Sequence, residues 1–183
     1  TYTLNLPFMV MATENPIDQE GTYQLPEAQM DRFLMKIMID YPDVEDEIGI
    51  LEQHGSSSSE EVKSVISGKE ILEITALAEK IHVEDKLKKY IVDLVRFTRP
   101  GNNNHDIAEY ISYGASPRAS LALLKSSRVN ALLNGRNFVI PEDILISLME
   151  ILRHRIILSF NAMSENIKVE SIIQTVRESI SIP

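Results

Sequence analysis

The sequence predicts a mainly α-helical protein that begins with part of an α/β layer, and two observations support this fold class. Residues 8–12 (FMVMA) and 34–39 (LMKIMI) are short apolar runs, which are typical of strands buried on both faces. From Asp43 onward the apolar residues instead recur at helical spacing. We therefore assign residues 1–41 to part of an α/β core, with two strands and one short helix, and residues 42–183 to an all-α domain.

Composition excludes several classes of function. The chain has 183 residues, 44% of them hydrophobic, no cysteine and a formal net charge of -9. This charge disfavours nucleic-acid and anionic-membrane partners, because phosphate binding depends on clustered Lys and Arg. Since no apolar run approaches the roughly 20 residues that span a bilayer, we expect no membrane insertion and a cytoplasmic protein. The chain opens on a strand-like stretch without an initiator Met, which suggests processing or truncation of a longer protein.

Local signals place the helices of the second part. Residues 67–70 have the spacing of a capping box, and residues 116–118 (SPR) combine a Ser cap with Pro at the first helical position. A polar segment at 55–61 reads as a linker. The short helix of the first part follows Pro26, which is acceptable in a first helical turn. The predicted longer helices cover residues 43–54, 67–81, 84–98, 116–134, 141–158 and 164–179.

The usual signatures of a nucleotide or metal site are missing from this sequence. Gly68-Lys69 is the single Gly-Lys pair, but Glu70 follows where a phosphate-binding loop needs Ser or Thr. Asp40 ends an apolar run without a second acidic residue, so we interpret it as a turn residue. No histidine has carboxylates or other histidines at metal-ligand spacing, and we expect no metal site. The histidines are His54, His82, His105 and His154.

Several long motifs nevertheless resemble one family. The stretches ATENP, EGTYQLPEAQMDRF, GASPRASLALL and LRHRIILS follow one another in the order found in the MoxR family of AAA+ ATPases. The resemblance covers essentially the whole chain. It implies the end of an α/β AAA+ core followed by the helical lid, with the phosphate loop and the magnesium motif upstream. ATP and Mg²⁺ would then bind the full-length protein, and we expect neither to bind tightly to this chain alone.

Asn15, in ATENP, matches the residue that the family uses as sensor 1. A neutral amide can hold an attacking water or a γ-phosphate oxygen in line, because it both donates and accepts without titrating. The alternative interpretation is an Asn that precedes Pro16 in an ordinary turn.

Arg32, in DRF, matches the arginine finger that one subunit presents to the ATP of its neighbour. A guanidinium stays charged and can bind γ-phosphate oxygens with two donors as negative charge shifts in the transition state. The alternative is an intramolecular surface pair between Asp31 and Arg32, worth about 0 to 1 kcal/mol.

Arg118, in SPRAS, matches sensor 2, which would contact phosphate in cis at the first turn of a lid helix. The alternative is a helix-start arginine that faces water. Tyr41 stands at the junction of the two parts and is a candidate for stacking near adenine, although a plain aromatic plug in the hinge explains it as well. The run at 153–155 (RHR) suits a phosphate or partner contact, a solvated helix face or a pairing of lid with core.

The resemblance implies an ATP hydrolase that acts in a homo-oligomeric, hexameric ring. Such proteins work in a chaperone-like way, often with proteins that carry von Willebrand factor A domains, to mature or activate a partner complex. Loop 17–23 would lie at the face between subunits. The chain alone should be inactive. The alternative function is a noncatalytic helical interaction module derived from an AAA+ lid, and a clamp-loader or helicase role on DNA is disfavoured by the acidic composition.

Overall fold

A computed structural model describes residues 2–14, 25–55, 63–101 and 107–183. It is mainly helical, as the sequence predicts. Among the described residues no helix is both long and apolar enough to cross a membrane. The helices are α1 (Glu27–Met30), α2 (Val44–Gly55), α3 (Gly68–Glu79), α4 (Asp85–Phe97), α5 (Pro117–Leu133), α6 (Pro141–Leu145), α7 (Leu148–Leu152), α8 (Phe160–Ser164) and α9 (Val169–Ser179). A short 3-10 turn, Ala108–Tyr110, precedes strand β1 (Ile111–Tyr113), which pairs antiparallel with β2 (Ile157–Leu158).

The hydrophobic core lies in the helical part, and α5 is its centre. Helices α3, α4, α6 and α7 all pack against α5, while α9 packs on α4 and α7. Leu94 of α4, Leu123 of α5 and Ile151 of α7 are completely buried in this one cluster. Burial of such side chains contributes about 1.5 to 3 kcal/mol each, so the core fixes the position of α5 and of its first turn.

The predicted helix caps are confirmed. At the start of α3 the Ser67 backbone N–H donates to Glu70 at 2.7 Å and the Glu70 N–H donates to the Ser67 hydroxyl at 3.3 Å. At the start of α5 the Ser116 hydroxyl accepts from the Arg118 N–H at 3.2 Å. Gly135 follows α5 with a φ of 68°, in the left-handed region that favours glycine at a helix end.

The two predicted strands at residues 8–12 and 34–39 are not observed. Neither segment belongs to a strand among the described residues, and Met9 and Met11 are 77% and 82% exposed. A strand needs a neighbouring strand to accept and donate its backbone hydrogen bonds, and among the described residues no strand pairs with either run. The apolar composition of both runs suits a sheet, but the described residues do not build that sheet.

The predicted helix at 141–158 is also wrong as a single element. It divides into α6 and α7 at Ser147, whose backbone (φ -104°, ψ 7°) leaves the helical region. The Ser147 hydroxyl accepts a hydrogen bond from Ser126, so the residue at this division contacts the neighbouring helix α5. Chain direction changes again after Leu152, because residues 153–155 turn towards the segment that follows α1.

The last predicted helix, 164–179, is shorter than expected and begins later. Helix α8 ends at Ser164, and α9 begins at Val169. Between them Asn166 has a φ of 56°, a left-handed conformation that Asn tolerates better than most residues. Helix α3 likewise ends at Glu79, two residues before its predicted end.

Candidate functional site

The carboxylate of Asp31, directly after α1, joins the N-terminal segment to the helical part. It accepts hydrogen bonds from Arg155 Nε at 3.0 Å and from the Ser116 hydroxyl at 2.9 Å. The Arg118 guanidinium lies further away, with Nη1 at 3.4 Å from Asp31 Oδ2. Three donors from two different parts of the helical core therefore converge on one acidic side chain.

Arg155 is the buried partner in this network. Its side chain is only 2% exposed, and besides Asp31 it donates to the carbonyl oxygens of Phe33, Leu34 and Ile151. Burial lowers the pKa of Arg155 from its ordinary value, and the hydrogen bond to Asp31 opposes that shift. A buried guanidinium needs this number of acceptors, so the run of carbonyls after Asp31 is held against the helical part.

Arg153 and His154 extend the same contact. Arg153 donates from Nη1 to the Lys36 carbonyl at 3.2 Å and from Nε to Glu170 at 2.9 Å. His154 Nε2 lies 3.2 Å from the Phe33 carbonyl oxygen. Of the interpretations left open for the run 153–155, the pairing of the lid with the N-terminal segment is the one observed.

A shallow depression beside this network contains four cationic side chains. It has a volume of about 290 Å³, and its lining includes Arg32, Arg118, Lys125 and Arg155. Asp31 is the one carboxylate in that lining. This excess of positive charge, on a chain with a net charge of -9, makes the depression suited to an anion.

Arg32 is exposed in this depression. Among the described residues its side chain has no hydrogen-bond or ion-pair partner. Asp31, the neighbour expected to pair with it in the alternative interpretation, instead binds Arg155, Ser116 and Arg118. The surface pair between Asp31 and Arg32 is therefore not observed, and the guanidinium is available for an external ligand.

Arg118 lies in the first turn of α5, as predicted. Its side chain is 55% exposed and makes the weak contact with Asp31 described above. The Arg118 side chain is therefore neither fully solvated nor firmly fixed. A long and solvent-accessible ion pair of this kind is worth about 0 to 1 kcal/mol, so a phosphate group can displace it.

The other predicted residues are not brought to this depression. Tyr41 is 89% exposed and is not part of the lining, so it plugs no hinge among the described residues. Asn15 and loop 17–23 lie outside the described residues, and their roles stay predictions. Across the part of the chain that the structure describes, no group of three or more His, Asp or Glu side chains is placed to hold a metal ion.

The sequence does not single out two residues of this region, Asp31 in the network and Lys125 in the depression. A signal for Lys125 was present, since it follows Arg118 by seven residues on one helix, a spacing that returns to the same face. Asp31 had no such signal, because its partners Ser116 and Arg155 are 85 and 124 positions away in the chain.

Comparison with protein families agrees with the order of the motifs. Residues 1–35 match the family described as ATPase family associated with various cellular activities (AAA). Residues 104–176 match the AAA lid domain. The depression is formed where these two matched regions meet, with Arg32 from the first and Arg118, Lys125 and Arg155 from the second.

Three related proteins resemble this chain over most or all of its length. The chain is 38% identical to the chaperone MoxR1 of Mycobacterium tuberculosis over 100% of its own length and 49% of that protein, and 37% identical to YeaC of Bacillus subtilis over 100% and 55%. Identity to the protein MoxR of Paracoccus denitrificans is 33%, over 82% of this chain and 48% of the relative.

The structural match is to a crystal structure from Cytophaga hutchinsonii of a protein assigned as an ATPase. The TM-score is 0.91 at 39% identity, covering 100% of this chain and 56% of that one. The chain thus spans about half the length of the relatives that it matches. The order of its motifs, its mainly helical structure and these matches together show that the chain belongs to the MoxR family of AAA+ ATPases.

Proposed function

We propose that this chain supplies the sensor, arginine-finger and lid elements of an AAA+ ATPase that couples ATP hydrolysis to chaperone-like maturation or activation of a partner complex. The observation that carries the proposal is the joint position of Arg32 and Arg118. Two guanidinium groups, one unpartnered among the described residues and one weakly paired, line a single depression open to solvent.

The chemistry of these two guanidinium groups suits a nucleoside triphosphate. Phosphoryl transfer needs little covalent chemistry from the protein, and positioning with electrostatic stabilisation supplies most of the rate. Arg32 would neutralise charge that develops on the γ-phosphate oxygens, and Arg118 would bind phosphate from the start of α5. Asn15 would hold the attacking water. Mg²⁺ bound with the nucleotide would supply neutralisation of phosphate charge, and the family resemblance implies that the residues that would hold it lie upstream of the run 8–12.

The geometry favours one nucleotide for both arginines. The family resemblance implies that Arg118 acts in cis and Arg32 in trans. Because both side chains line the same depression, we propose instead that they face the same phosphate group, held by a neighbouring subunit of a homo-oligomeric ring. Loop 17–23 would lie at that same face.

The wider biological role rests on the relatives. The name of the M. tuberculosis relative, chaperone MoxR1, supports chaperone-like work. We propose a cytoplasmic, hexameric assembly that acts together with proteins carrying von Willebrand factor A domains. A noncatalytic role for the chain would be favoured if the reading frame before Thr1 encoded neither GxxxxGK[ST] nor an apolar run ending in Asp-Glu.

Substitution of Arg32 tests the proposal in the full-length protein. Arg32→Ala should leave ATP binding nearly unchanged and reduce turnover by roughly two orders of magnitude or more, since arginine fingers contribute about 10³ to 10⁵ in rate. ATP binding is measured by equilibrium titration and turnover by steady-state phosphate release. Lys168→Ala, which changes an exposed lysine outside the depression, is the matched control. Turnover that is unaffected by Arg32→Ala would reduce Arg32 to a surface residue.

A further inference from the structure

Lys125 lines the depression, and it has no part in the proposed function. It follows Arg118 by seven residues on α5, which places the two on one face of the helix and about 10.5 Å apart along its axis. Lys125 is exposed, and among the described residues its ammonium group has no hydrogen-bond or ion-pair partner. Long side chains at this separation can reach two ends of one extended anion.

The charges of the lining leave Lys125 uncompensated. Asp31, the one carboxylate, is engaged by Arg155 at 3.0 Å and by Arg118 at 3.4 Å. Arg32 and Lys125 therefore add two positive charges without a counter-charge in the lining. A ligand with several negative charges spread along its length matches this pattern better than a single carboxylate does.

We propose that Lys125 is a third phosphate-binding side chain, which contacts the polyphosphate of the nucleotide that Arg32 and Arg118 face. This inference rests on the proposed function and adds a residue to the same site. An ammonium group is a point charge without the forked geometry of a guanidinium, so Lys125 attracts the polyphosphate equally before and during the reaction. Loss of such uniform binding raises KM and leaves kcat unchanged.

The experiment compares full-length Lys125→Ala, Lys125→Arg and Lys168→Ala in steady-state ATP hydrolysis. Lys125→Ala should raise KM for ATP about three- to tenfold, with kcat within about twofold of the unsubstituted protein, as expected for loss of one charged contact. Lys125→Arg should have a KM close to that of the unsubstituted protein, because arginine retains the positive charge. Lys168→Ala should leave both parameters unchanged. Higher ionic strength should reduce the difference in KM between Lys125→Ala and the unsubstituted protein, because salt screens a solvent-accessible contact between Lys125 and phosphate.

An unchanged KM in Lys125→Ala would overturn the inference, as would a fall in kcat at constant KM. Failure of Lys125→Arg to restore KM would also contradict it. If Lys125→Ala lost its oligomeric state in gel filtration while KM at the remaining sites stayed normal, the inference would fail and Lys125 would instead contact an acidic protein surface. The Arg32→Ala result separates the two claims. When Arg32→Ala abolishes turnover but Lys125→Ala leaves KM unchanged, the proposed function stands and this inference fails.

Discussion

Asp31 and Arg32 are adjacent in sequence, yet among the described residues only Asp31 is bound to the helical part by its side chain. The turn that ends α1 directs the Asp31 carboxylate to Arg155 and Ser116, and leaves the Arg32 side chain exposed. Fixing Asp31 also fixes the backbone that carries Arg32. One acidic side chain therefore binds Arg155 directly and positions Arg32 through the chain, while its contact with Arg118 is weak.

His154 gives this contact a pH dependence. Burial lowers the pKa of His154 from its ordinary value of 6.5, and the neighbouring Arg155 guanidinium lowers it further. The unfolded chain therefore binds a proton at His154 more readily than the folded chain does. The stability that neutral His154 contributes is fully present above pH 6.5 and is lost as pH falls through the pKa of His154 in the folded state. We expect the free energy of unfolding to decrease as pH is lowered from about 7 towards 5, measured by denaturant titration.

His154→Gln is the comparison that isolates this residue, because Gln keeps a donor for the Phe33 carbonyl and does not titrate. The difference in the free energy of unfolding between His154→Gln and the unsubstituted protein should change most towards about pH 5. Parallel pH profiles for the two proteins would show that His154 takes no part in the pH dependence.

At the scale of elements, the first turn of α5 depends on a close backbone approach that precedes it. A Cβ on Gly114 would lie 2.2 Å from the Thr98 carbonyl oxygen. The next residue, Ala115, donates its N–H to the Thr98 hydroxyl at 2.9 Å and accepts from Arg99 Nε at 3.0 Å. These contacts place Ser116 and Arg118, so a side chain at position 114 would displace the start of the helix.

Gly114→Ala should destabilise the protein by about 1 to 3 kcal/mol or more, because the clash is with backbone that cannot move aside. Gly49→Ala is the matched control. Gly49 lies inside α2, where an added methyl group would meet no atom within 4 Å, and the substitution should stabilise by about 0.5 to 1 kcal/mol through helix propensity. Thermal unfolding measures both. Equal stability of the two variants would disprove the role given to Gly114.

The same elements show what sequence can and cannot predict. The start of α5 is predictable because a Ser cap and Pro at the first helical position act locally. The division at Ser147 has no such local signal, and the side-chain hydrogen bond that Ser147 makes with Ser126 joins positions 21 residues apart. The strands at 8–12 and 34–39 are predicted from apolar composition, which reports suitability for a sheet but not the presence of a neighbouring strand.

At the scale of the whole molecule, residues 153–155 connect the N-terminal segment to the helical part. The backbone carbonyls of Phe33, Leu34 and Lys36 accept hydrogen bonds from this run, and the Lys36 N–H donates to the Glu150 carbonyl. Motif matching predicted the individual residues Arg32 and Arg118, and it suggested lid–core pairing as one option for the run. It did not predict that the two arginines share a depression, because that depends on the packing of segments more than 80 residues apart.

In the proposed mechanism, Arg32 acts on a nucleotide held by another subunit. The direct measurement mixes full-length Arg32→Ala subunits with subunits whose expected upstream phosphate loop is inactivated. Each protein alone should hydrolyse ATP at background rate. Mixed rings should regain a substantial fraction of the activity, because an intact Arg32 then faces an intact nucleotide site. Mixed rings that form but remain inactive, or full activity in Arg32→Ala alone, would contradict the account.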